Sequence, residues 1–113
     1  MFTQNLLTDL INQAGGERFD EILCHRGVRI ERIVSHGHAS VPDFWYQQAW
    51  DEWVLIISGE AVLKYDVGCV TMKPGDHEFI EAGRRHRVQS TSSMEPTVWL
   101  AIHWDQTSDQ AAC

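Results

Sequence analysis

The 113-residue chain carries 16 acidic and 9 basic residues, for a formal charge of -7. That field disfavours polyanionic partners, so neither nucleic acid nor an anionic membrane surface is expected as a partner. Hydrophobic residues at 43% and charged ones at 22% fit one soluble globular domain, 1–113, and no apolar run is long enough to cross a bilayer.

In chain order, Leu6, Leu7, Leu10 and Ile11 recur at helical spacing and predict a short amphipathic helix, ended by Gly15-Gly16. Residues 17–25 predict a second helical turn. No basic residue precedes an apolar stretch within residues 1–13, and Asp9 lies inside it, which argues against a secretory signal. Cys24, Cys69 and Cys113 are odd in number and far apart. They lack a paired spacing, so three free thiols in a reduced cytoplasm are expected.

From Gly27 onward the pattern changes. Residues 28–34 are rich in β-branched side chains and predict a strand. His36-Gly37-His38 and Pro42-Asp43 mark a loop, and the aromatic stretch 44–48 is extended. Further strands are predicted over 52–57, 61–66, 69–73, 77–81, 86–91 and 96–104. Turns at Ser58-Gly59, Gly68, Pro74-Gly75-Asp76 and Gly83 separate them. About eight short strands punctuated this way imply an all-β barrel or sandwich. The expected layout is an N-terminal arm over 1–26, a barrel over about 27–104 and a polar tail over 105–113.

Two spacings are more specific. Glu52 is followed by six residues and Gly59. Gly75 is followed by five residues, Glu81, one residue, Gly83, two residues and His86. The two stretches resemble the paired motifs of the cupin superfamily, with fifteen residues between Gly59 and Gly75 as in small microbial members. The resemblance covers roughly residues 27–104 and is closest over 51–61. It implies a cupin-type double-stranded jelly-roll barrel. It also implies a divalent-metal site built from two motif-one histidines, a glutamate and a motif-two histidine. Here Glu52 and His86 match as metal ligands. The histidine positions fall on Tyr46 and Gln48, the motif-two proline on Glu81 and the final asparagine on Ser90. The first motif is thus degenerate. Gln48 is left as the third metal-ligand candidate, for a weakly held Mn, Fe or Ni, or for no metal at all.

Strand alternation sends Val54, Ile56 and Ser58 to the same face as Glu52, and Val88 and Ser90 to that of His86. A carboxylate, an imidazole, a carboxamide and a phenol then converge among apolar walls, as a small-molecule pocket requires. Tyr46, Gln48, Trp45, Arg84 and His103 are the candidate ligand-binding residues. Arg84 at a barrel mouth would attract an anionic substrate, or simply belong to a solvated basic patch with Arg85 and Arg87. His103 shares a face with Thr97, Trp99 and Ala101, and the sequence leaves open whether that face is the lumen. His36, His38 or His103 could supply a missing nitrogen, although His36 and His38 lie outside the motif spacing. Trp53, Leu55 and Ile57 make an apolar face opposite Glu52, which predicts a homodimer. The expected function is small-molecule binding with a degenerate metal site. The alternative is a metal-dependent cupin enzyme, an oxygenase, isomerase or lyase.

Overall fold

The computed structural model describes residues 4–11 and 14–104. It contains eight strands: β1 (Glu17–His25), β2 (Val28–Ser35), β3 (Asp51–Ser58), β4 (Ala61–Tyr65), β5 (Gly68–Met72), β6 (His77–Ile80), β7 (His86–Thr91) and β8 (Thr97–Trp104). All pairings are antiparallel. One sheet has the order β1-β2-β8-β3-β6 and the other β5-β4-β7. The fold is all-β and of the jelly-roll type. Among the described residues no helix is long and apolar enough to cross a membrane. The predicted polar tail, 105–113, lies outside the described residues.

The core sits between the two sheets. Val54, Ile56, Leu63, Met72, Val88, Trp99 and Ala101 are buried there and pack into one cluster. Alternation explains the membership. On β3, Glu52, Val54 and Ile56 are buried while Trp53, Leu55 and Ile57 are half-buried on the outer face. On β8 the same rule buries Thr97, Trp99, Ala101 and His103. His103 therefore faces inward, which settles the orientation that the sequence left open.

Three expectations are corrected. Residues 17–25 form a strand, not a helical turn, so the sheet begins at Glu17 rather than near Gly27. Arg26 and Gly27, both at positive φ, close a two-residue hairpin that pairs His25 with Val28. Tertiary pairing through such a turn overrides the mixed local propensity of this stretch. The segment with Leu6, Leu7, Leu10 and Ile11 is not helical. The Leu6, Thr8 and Asp9 carbonyls accept hydrogen bonds from Arg32, and the Asp9 and Ile11 carbonyls from Arg18. Those acceptors are satisfied without a helical ladder. Finally, Cys24 is disulfide-bonded, whereas Cys69 is free and exposed. Cys113 lies outside the described residues. Pairing depends on separation through space, which sequence spacing does not report.

Candidate functional site

Strand register builds the site. Arg29 on β2, His103 on β8 and Glu52 on β3 lie opposite one another across three adjacent strands, and Ile80 of β6 follows Glu52. The opposite wall is brought in by the segment before β3. Tyr46 and His86 exchange backbone hydrogen bonds (2.7 and 3.0 Å), and the Gly83 N–H donates to the Gln48 carbonyl at 2.7 Å. The stretch predicted to be extended over 44–48 is thus a single bridge at Tyr46. It places Tyr46 and Gln48 beside the start of β7. The Tyr46 and His86 rings stack with centroids 5.5 Å apart.

The result is a cavity of about 270 Å³ between the sheets. Its polar lining comprises Glu17, Arg29, Glu31, Tyr46, Gln48, Glu52, His86 and His103. Its apolar lining includes Phe19, Trp50, Val54, Leu63, Val88 and Trp99. Of the candidates from sequence, Glu52, His86, Gln48, Tyr46 and His103 share this cavity. Trp45 and Arg84 do not line it. The Arg85 guanidinium lies over the Trp45 ring at 4.6 Å, and that of Arg84 lies over Tyr65 at 3.7 Å. The Trp45 ring and the Arg84 charge are thus engaged in cation–π contacts with Arg85 and Tyr65 rather than with the pocket.

Hydrogen bonding fixes both imidazoles. His86 Nδ1 is 3.0 Å from the Arg84 carbonyl, which can only accept. Nδ1 therefore carries the proton, and Nε2 presents a lone pair to the cavity. His103 is the reverse. The Trp50 indole N–H donates to its Nδ1 at 2.9 Å, so the proton sits on Nε2, which donates to Glu31 Oε1 at 2.8 Å. Glu52 lies between the two rings. His103 Nε2 is 3.5 Å from its Oε2 and His86 Nε2 is 3.9 Å from its Oε1. With its amide turned to suit its neighbours, Gln48 donates to Glu52 Oε1 and accepts from Trp50, both at 3.2 Å.

Burial raises the Glu52 carboxyl to about 7. Glu31 and Glu17 push the same way, and Arg29 opposes them. Burial also holds His86 and His103 below the usual histidine value. Both rings are therefore neutral near pH 7.

Glu17 is a site residue that the sequence reading missed. Its carboxylate accepts the Ser35 hydroxyl at 3.1 Å and lies 3.7 Å from His38 Nε2. Burial raises its pKa, with His38 and Ser35 opposing. Arg29 and Glu31 were missed as well. A signal existed for both: Arg29 and Glu31 alternate with Ile33 on β2, and charges on an inward face mark a cavity.

The donor set does not suit the metal that the resemblance implies. Among the described residues, no group of three or more His, Cys, Asp and Glu side chains is placed to hold a metal ion. His103 Nε2 is committed as a donor to Glu31, and His38 pairs with Glu17 instead of reaching Glu52. That leaves Glu52 and His86, with a neutral amide and a phenol, for an ion that prefers several anionic or imidazole ligands.

The Cupin domain model matches residues 31–103. The chain belongs to the cupin-domain family. This cupin is similar over 93% of its length, at 44% identity and a TM-score of 0.87, to a Ralstonia eutropha structure bearing the name "putative mannose-6-phosphate isomerase". The match covers 99% of that chain. A cupin superfamily protein from Desulfitobacterium hafniense shares its fold at 19% identity and a TM-score of 0.73, with 92% of each chain covered. So does the cupin domain of an XRE family transcriptional regulator from Enterobacter cloacae, at 18% identity and a TM-score of 0.66. That match covers 79% of this cupin and 96% of that chain. No curated protein matches it.

Proposed function

We propose that this cupin binds a small molecule in the cavity against Glu52, His86 and Gln48, without depending on a resident metal. The observation that carries this reading is the convergence of buried polar groups on an apolar-walled space of about 270 Å³. Trp50 and Trp99 offer ring surfaces there, and Tyr46 and Gln48 can fix a ligand's orientation. A thermal-shift screen of small polar metabolites tests it. A ligand at about 100 times its Kd should stabilise the native protein by about 2.7 kcal/mol. Val88→Phe, which fills the cavity from the β7 wall, should keep the circular dichroism spectrum and lose the shifts. No stabilising compound, or equal shifts in the variant, contradicts the reading.

A second reading is a metal-free isomerase. A carboxyl titrating near neutrality beside an imidazole suits proton transfer between the adjacent carbons of an aldose and its ketose. The name carried by the 44% identical Ralstonia eutropha protein points the same way. On this reading, incubation with mannose 6-phosphate gives its ketose isomer by NMR, and Glu52→Gln slows the conversion by about 100-fold or more. No conversion by the native protein removes this reading.

We also propose a homodimer through the outer face of the five-stranded sheet. Trp53 and Leu55 are half-buried there. Phe79 is 48% exposed and stacks on Trp104 with centroids 6.1 Å apart. Light scattering after size exclusion should give twice the 12.9 kDa chain mass. A monomer at micromolar concentration contradicts this.

A further inference from the structure

With Glu52 ionised, the polar groups facing the cavity from β3 and β7 are both acceptors. His86 is 6% exposed, and its Nδ1–H is used by the Arg84 carbonyl, so Nε2 offers a lone pair. No hydrogen-bond donor reaches that nitrogen among the described residues. The nearest carboxylate oxygen, Glu52 Oε1, is 3.9 Å away and is an acceptor itself. Glu52 is equally buried at 6% exposure, and among the described residues the turned Gln48 amide, at 3.2 Å, is the one hydrogen-bond donor to its carboxylate, the His103 Nε2–H being given to Glu31. Two buried acceptors held apart without a donor between them leave desolvation uncompensated.

The charge balance agrees. Glu17, Glu31 and Glu52 all line the cavity, and Arg29 is its one formally cationic side chain. The Arg29 guanidinium lies over the Trp50 ring, 5.8 Å from its centroid, and among the described residues no carboxylate is within ion-pair distance of it. The lining is therefore rich in acceptors and negative charge, and a ligand that complements it brings donors and positive charge.

We propose that the cavity takes a small organic cation, a protonated primary amine or a guanidinium, whose N–H donors bridge Glu52 Oε1 and His86 Nε2. A separation of 3.9 Å is too long for a direct hydrogen bond. It is short enough for a single nitrogen to donate to both atoms at about 2.9 Å. The Tyr46 ring, stacked on His86, lines the same space and adds an aromatic wall beside the cation. The space is equivalent to about nine waters at about 30 Å³ each, so the cation is small. The cation stands where the family motif would place a metal, because this chain supplies two of the ligands a metal needs and spaces them for a hydrogen-bond donor. The inference rests on the cavity being a small-molecule site and adds the chemical class of its ligand. It disfavours a phosphorylated sugar as that ligand.

An NMR titration of the full chain at about pH 8, at constant ionic strength, tests the proposal. Ethylamine and methylguanidine should shift the His86 side-chain nitrogen resonances saturably. Tetramethylammonium carries the charge without N–H donors and should bind at least tenfold more weakly. Acetate and mannose 6-phosphate should leave His86 unmoved. Glu52→Gln, isosteric and checked for folding by its amide spectrum, should weaken ethylamine binding tenfold or more. The proposal is overturned if acetate or mannose 6-phosphate moves His86 at lower concentration than the amines do. It is also overturned if neither amine moves His86, or if Glu52→Gln binds ethylamine as well as the native protein. The cavity reading survives those results provided that other compounds stabilise the native protein and not Val88→Phe. It falls only when that difference is absent.

Discussion

Glu52 concentrates the chemistry of the site in one side chain. Its carboxyl is raised to about 7 from an ordinary 4.5. The folded state therefore holds that proton more tightly than the unfolded chain does. Above pH 7 the group is ionised in both states, and burying its charge costs stability. As pH falls from about 7 toward 4.5 the folded state takes up the proton first, and the cost disappears. At 1.36 kcal/mol per pH unit the effect is about 3 kcal/mol. The Glu52→Gln protein should thus be more stable than the native one at pH 8, with the gap closing toward pH 5. Urea unfolding of both proteins at the two pH values checks this. An advantage that stays constant with pH would mean that Glu52 is not desolvated.

Glu52 and His86 were legible in the sequence because their spacing from turn glycines resembles the two cupin motifs. Once the strand parity is set, so is the side chain's direction. Glu17 was not legible as a cavity residue, and Arg29 and Glu31 carried only the signal of alternating with Ile33. They reach the cavity through the register of β1 against β2 and of β2 against β8, and no local pattern reports register between strands far apart in the chain. Sequence spacing also could not show that Trp50 and Glu31 engage both nitrogens of His103. That is a matter of hydrogen-bond direction.

At the scale of elements, two junctions hold the site walls in place. The Tyr46–His86 bridge ties the segment before β3 to the start of β7 and so sets Gln48 against Glu52. The turn between β3 and β4 passes close beneath the start of β8. Gly59 there has φ of +83°, and a Cβ added to it would lie 2.5 Å from the Thr97 Cα and 2.8 Å from the Pro96 carbonyl oxygen. Backbone cannot yield as a flexible side chain does. Gly59→Ala should therefore cost about 3 kcal/mol or more, combining the left-handed conformation with the clash. Thermal unfolding checks this, and a melting temperature within a degree or two of the native value contradicts it. The motif glycine was readable as a turn, but its contact with β8 was not. The strands from β2 to β8 were anticipated from alternation and turn residues. β1 was missed because Glu, Arg and Leu within it favour helix locally, and only the Arg26-Gly27 hairpin and pairing with β2 decide the matter.

For the whole molecule, the structure joins the cupin fold to a site whose residues do not match the metal-ligand set that the sequence resemblance implies. Two sheets enclose a small cavity, and two neutral imidazoles and three glutamates face it. The motif's histidine positions hold a phenol and an amide. The central claim is that this space holds an organic molecule rather than a tightly bound metal. Native mass spectrometry of the purified chain, with metal analysis of the same sample before and after EDTA, tests it most directly. The account predicts a bound organic species that is absent from Val88→Phe, with any Mn, Fe or Ni far below one per chain and removed by the chelator. A stoichiometric metal that survives EDTA and is lost in Glu52→Gln would contradict it.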